Sequence, residues 1–190
     1  NTLLDRLPNE TMLAIAKAST VDEDRAAAAY FASFPYRPWI RVVETATVAK
    51  MKVAGGVFVP IVGEGAGTEP IGGRIIETPE DVGRAEVRDS ASGFIAYVPP
   101  GSIAKGEALA STGGAGKTIQ CAICHGPDLK GLGDVPSLAG RSPAYTVRQL
   151  YDIQSGARNG AGAQLMKAVV AKLTLEDMIA LAAYTGSREP

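Results

Sequence analysis

The sequence predicts a mainly α-helical chain with short β-strands in its middle, and three observations carry that expectation. Apolar side chains recur at helical spacing near the N-terminus (Ala27, Tyr30, Phe31, Phe34) and again near the C-terminus (Leu175, Met178, Ile179, Ala182). Between them, from Tyr36 to Pro100, the composition shifts to Gly, Pro, Val and Ile. Finally, Cys121-Ala122-Ile123-Cys124-His125 gathers the chain's 2 cysteines and its 1 histidine into one pentapeptide.

Residues 9–34 read as helical, with Thr20 and Glu23 in the form of a capping box and Pro35 and Pro38 as stops. Residues 35–100 read as a connector. Its β-prone runs are Trp39–Val43, Val57–Val62, Arg74–Glu77 and Phe94–Val98, parted by turn-rich pieces such as Gly63-Glu64-Gly65-Ala66-Gly67. Isolated hairpins are marginal, so the connector is expected to lie against the helical parts. Residues 101–190 are again helical. Ser102 is expected to cap a helix from Ile103 to about Ser111, which Gly113-Gly114-Ala115-Gly116 breaks. A loop from Gly126 to Pro143 leads to a helix over Ala144–Ser155 with Val147, Leu150 and Tyr151 on one face. A second loop, Gly156–Gln164, precedes a last helix with Thr174 as its N-cap.

With 46% hydrophobic and 21% charged residues, the composition is that of a globular protein. A net charge of −1 without like-charge blocks argues against nucleic acid and against an anionic membrane surface as partners. No apolar run approaches the roughly 18 residues of a membrane span. Asn1–Pro8 is polar, with Asp5 and Arg6, and does not read as a signal peptide; a mature terminus or a cut is the expectation.

The C-x-x-C-H order reads as a c-type haem attachment site. Two thiols three positions apart can each form a thioether to a haem vinyl group, and the adjacent imidazole of His125 is then held under the iron. Three other readings compete. Structural zinc would need a fourth ligand, and no further Cys or His exists to supply it. A redox dithiol should open a helix after a buried parallel strand, and nothing before Cys121 reads as one. A disulfide closing so short a loop would stabilise little.

One histidine excludes bis-histidine ligation within the chain, so a methionine thioether is the expected second axial ligand. The candidates are Met12, Met51, Met166 and Met178. Met178 falls in the apolar stripe of the last helix and reads as core. Met51, between Lys50 and Lys52, reads as exposed. Met166, in a loop before the last helix, can come over the opposite haem face; its alternative is a core-filling methionine.

From Ser102 to Ser187 the chain resembles a class I cytochrome c of the bacterial diheme type. Cys-Ala-Ile-Cys-His-Gly-Pro-Asp-Leu-Lys-Gly is similar to that family's attachment loop, Val-Pro-Ser-Leu-Ala-Gly to the turn after it, and Leu-Thr-Leu-Glu-Asp-Met-Ile-Ala-Leu-Ala-Ala-Tyr to its closing helix. The resemblance implies Met166 as distal ligand and Pro136 as the proline whose carbonyl takes the Nδ1 proton of His125. Tyr145, Arg141 and Arg148 fall where side chains could meet the haem propionates, with ordinary surface helix residues as the alternative.

A shift of 154 places lays Met12 on Met166, Thr20 on Thr174 and Tyr30 on Tyr184, with 8 of 22 positions identical from Met12 to Ser33. Residues 1–34 therefore read as the closing part of a first cytochrome domain, with 35–100 as connector and 101–190 as the complete domain. Asp24 and Arg25 depart from the pattern, standing where the second copy has Met178 and Ile179. The alternative is an amphipathic helix packed on the connector. On the repeat reading Met12 ligates a second haem attached to a companion chain.

The expected function is periplasmic electron transfer between redox protein partners by one haem c with His/Met ligation, not catalysis. The alternatives are a subunit relaying electrons for a larger oxidoreductase, and a haem enzyme or sensor with a displaceable methionine. Covalent haem attachment outside the bacterial cytoplasmic membrane implies export.

Overall fold

A computed structural model describes residues 10–34 and 37–190, without the side chains of Thr11 and Met12. The chain divides into two compact units, residues 1–37 and 38–190.

The first unit holds two helices, α1 (Glu10–Ala18) and α2 (Val21–Ala32), where the periodicity predicts one. The capping box is itself the break. Thr20 is extended (ψ 159°), its hydroxyl accepts from the Glu23 amide, and the Glu23 carboxylate accepts from the Thr20 amide at 2.8 Å. A residue so committed cannot continue the preceding helix. The expected stop at Pro35 lies outside the described residues. No residue of α2 is buried, and Tyr30, Phe31 and Phe34 form an exposed edge-to-face aromatic group.

The second unit starts with seven short strands and one helical turn. They are β1 (Ile40–Glu44), β2 (Thr47–Ala49), β3 (Met51–Ala54), β4 (Val57–Pro60), β5 (Thr68–Pro70), β6 (Ile76–Pro79), α3 (Val82–Glu86) and β7 (Phe94–Val98). β7 runs between β1, parallel to it, and β6, antiparallel; β2 pairs with β5 and β3 with β4. The β3–β4 turn uses Gly55 and Gly56 at φ +59° and +82°, the left-handed pair that a tight hairpin requires. β2, β3, β5 and α3 escape a sequence reading because three to five residues are too few for a period to show. Met51, expected to be exposed, is half-buried against Val48, Ile71 and Ile76, the strand pairing having turned it inward.

Five helices follow: α4 (Ser102–Thr112), α5 (Ala122–His125), α6 (Pro143–Gln154), α7 (Met166–Val170) and α8 (Leu175–Gly186). α8 is the central element, buried on every face from Asp177 to Ala183. α4 crosses it at Gly106, where a Cβ would stand 2.0 Å from the Ala180 carbonyl oxygen; only a residue without a side chain permits that approach. Leu150 and Ile153 of α6 join the same core, whereas Tyr151 and Leu175, expected on apolar faces, are exposed.

The connector docks through two carboxylates. Glu44 of β1 accepts from the Ile103 amide at 2.7 Å, and Glu77 of β6 accepts from the Ala144 amide and the Ser142 hydroxyl, both at 2.9 Å. Each places negative charge at a helix N-terminus, where unpaired amides attract it. This corrects the expected role of Ser102. The chain enters α4 through Gly101 (φ +79°) with no side-chain cap of its own, and Glu44 does that work from another element.

Asp177 closes the α8 capping box with Thr174 and is fully buried. Lys117 Nζ lies 2.6 Å from its Oδ2 and Lys105 Nζ 3.2 Å from its Oδ1. Burial alone would raise this carboxyl; the Lys117 ammonium, the hydrogen bonds from Thr174 and the Lys105 ammonium together outweigh it and hold the group well below the ordinary carboxylate range. Among the described residues no helix is long and apolar enough to cross a membrane.

Candidate haem site

The cysteine motif forms one helical turn. The His125 amide donates to the Cys121 carbonyl at 2.9 Å, so Cys121, Cys124 and His125 share a side of α5 at i, i+3 and i+4. Gly126 (φ +81°) ends the turn, and the chain loops back beneath it. Gly131 allows the return: its amide donates to the His125 carbonyl, and a Cβ there would meet the Val135 carbonyl oxygen at 2.7 Å and Pro136 carbonyl carbon at 3.3 Å. The loop thus brings the Pro136 carbonyl oxygen to 2.8 Å from His125 Nδ1. A carbonyl can only accept, so this bond requires the proton on Nδ1 and leaves the Nε2 lone pair free to bind a metal.

His125 is 7% exposed and lines an apolar cleft together with Cys121 and Cys124. Met166, the first residue of α7, lines the same cleft with Val169; Leu138, Leu150 and Leu181 supply further apolar wall. Thr146 and Thr185 complete it at i−4 and i+4 from Leu150 and Leu181, a spacing that puts each pair on one helix face. That spacing was the available signal for the wall residues, but which face looks into a cleft depends on where α6 and α8 meet.

Arg141, Tyr145 and Arg148 are not among the described residues lining the cleft. Arg141 Nε donates to the Ser137 carbonyl and so braces the loop, and the Arg148 guanidinium lies over the Tyr145 ring at 5.6 Å on the exposed side of α6. Met178 is 1% exposed in the core. Met12 falls in α1, and its side chain lies outside the described residues.

The donor set suits a haem better than the competing groups. No cluster of three or more His, Cys, Asp or Glu that could hold a metal ion occurs among the described residues, against a zinc site. A redox dithiol works through a lowered thiol, whereas burial pushes Cys121 up to about 11. A flat apolar ring with two vinyl carbons, one nitrogen ligand and one thioether ligand matches what the cleft offers. The larger groove of the unit, between Gly72, Pro99 and Leu175, has its charges committed: Lys105 pairs with Glu176 at 2.7 Å.

The cytochrome c family profile matches residues 103–188. Cytochrome c-554(548) of Halomonas halodenitrificans is 36% identical over 77 residues, 40% of this chain and 93% of that protein. Cytochrome c4 of Stutzerimonas stutzeri is 35% identical over 99 residues, 50% of this chain and 47% of that protein. A protein of Stutzerimonas stutzeri named thiosulfate dehydrogenase electron acceptor is 39% identical over 83 residues, 42% of this chain and 37% of its own length. The chain therefore spans about half the length of the cytochrome c4 it matches.

Proposed function

The chain belongs to the cytochrome c family, whose group is a covalently bound haem c, and we propose that it carries single electrons between protein partners in the periplasm. The bound haem supplies the one-electron chemistry. In this reading Cys121 and Cys124 anchor it by thioether bonds, His125 is the proximal ligand and Met166 the distal one. Pro136 orients the imidazole, and a ligand so held is a better donor. Leu138, Leu150 and Leu181 exclude water, which keeps rearrangement between redox states small. Tyr145, Arg141 and Arg148 would contact the propionates from the rim. The observation that carries the reading is that His125 and Met166 line one apolar cleft with both cysteines.

The same reading divides the chain at 1–34, 35–100 and 101–190, with the first segment closing another cytochrome domain. Two observations support it. α2 and α8 both begin at a threonine whose capping box is complete, 154 residues apart, and the aromatic face of α2 is exposed. Met12 would then be the distal ligand of a second haem on a companion chain. A relay role inside a larger oxidoreductase is favoured by one observation, the similarity to the thiosulfate dehydrogenase electron acceptor.

Intact mass of the purified protein, a haem-stained denaturing gel and carbon monoxide difference spectra test the proposal together. One haem surviving denaturation and a ferrous spectrum that carbon monoxide leaves unchanged are expected. A protein without covalent haem sinks it, and a rapid carbon monoxide shift at neutral pH makes the haem enzyme or sensor the better reading.

A further inference from the structure

α7 holds Met166 yet is only five residues long, too short to persist through its own hydrogen bonds. Its C-terminal carbonyls have no partners within the helix and must find them elsewhere. They do so in two places. The Thr118 hydroxyl donates to the Val169 carbonyl at 2.8 Å; Gln154 Nε2 donates at 2.6 Å to the Val170 carbonyl, which the Leu173 amide also reaches at 3.1 Å, and at 2.8 Å to the carbonyl of Leu173 just beyond the helix.

Thr118 is 8% exposed and precedes Ile119, Gln120 and Cys121, which line the same cleft as Met166 and Val169. Its bond therefore spans the seam between the wall leading into the cysteine motif and the wall bearing Met166. The flanking residues reinforce it: Lys172 Nζ donates to the Gly116 carbonyl at 3.3 Å, and Lys117 reaches Asp177. Gly116, Lys117 and Thr118, consecutive in the chain, thus each tie to the segment after Met166. Gln154 holds the same short helix from the α6 side.

We propose that Thr118 and Gln154 are positioning residues for the distal ligand, fixing α7 so that Met166 stays on the iron. The inference rests on the reading of Met166 as that ligand. Loss of Thr118 leaves the Val169 carbonyl without that donor, and loss of Gln154 removes the side-chain donor of the Val170 and Leu173 carbonyls; either loosens α7, so the methionine yields more readily to an external ligand.

Imidazole titration of the ferric holoprotein, followed through the methionine–iron charge-transfer band, tests this on wild type, Thr118→Val, Thr118→Ser and Gln154→Leu. Thr118→Val and Gln154→Leu are expected to bind imidazole about tenfold more tightly than wild type, the order of one lost hydrogen bond, and Thr118→Ser to restore the wild-type value. Val98→Ala serves as control, since Val98 is fully buried in the connector sheet, outside the cleft. If Val98→Ala raises imidazole affinity as much as Thr118→Val, general destabilisation explains the effect and the proposal falls. A normal wild-type band with unchanged affinity in Thr118→Val and Gln154→Leu overturns this inference alone; a wild-type protein without the band overturns the Met166 reading with it.

Discussion

Lys117 Nζ sits 2.6 Å from Oδ2 of Asp177, and this ion pair joins the loop before the cysteine motif to the buried helix α8. The carboxyl is held below its ordinary 3.8, so it contributes stability above that value and loses it as acid titrates the folded group. Asp177→Asn is expected to cost about 2 kcal/mol at neutral pH, less than for a fully buried pair because the lysines remain 36% and 38% exposed. Urea unfolding from neutrality down to about pH 3 checks the sign: the gap between wild type and variant should narrow as pH falls below about 4. A gap independent of pH would remove the ionised carboxylate from the explanation.

Gly106→Ala should destabilise the protein although alanine is the better helix former by about 1 kcal/mol. The new methyl group would stand 2.0 Å from the Ala180 carbonyl oxygen, so α4 and α8 must separate. A net loss of about 2–3 kcal/mol in chemical denaturation is expected.

Glu77→Ala removes the acceptor for the Ala144 amide and the Ser142 hydroxyl. The expected loss is about 1–2 kcal/mol, the usual value of an N-terminal cap with its favourable charge. Because the carboxylate comes from β6, amide exchange should quicken both in β6 and in the first turn of α6. Exchange changing in α6 alone would mean that the connector is held by other contacts.

Met166→Ala should keep covalent haem, since both cysteines and His125 are untouched. It should also lower the reduction potential and open the ferric iron to imidazole or azide. Redox titration beside ligand titration decides it; a potential equal to wild type would assign the distal position to another residue.

Local chemistry carried much of this protein by itself. The pentapeptide from Cys121 to His125 points to its own cofactor class because two thiols for thioether attachment and one proximal imidazole can come from neighbouring residues. The capping boxes at Thr20 and Thr174 are equally local, each closing between residues three apart. Tertiary structure decided what depends on residues distant in the chain. The parallel pairing of β1 with β7 joins Ile40 to Phe94, and no period along either strand records its partner. Glu44 replaces the expected cap at Ser102 because strand β1 ends beside the start of α4. The sequence draws no notice to Asp177, and it is the fold that buries it between Lys105 and Lys117. Met166 shares a cleft with His125 for the same reason: α7 packs on the core of the helical part and is bonded by Thr118 and Gln154, residues 48 and 12 positions away in the chain, and no local pattern records those partners.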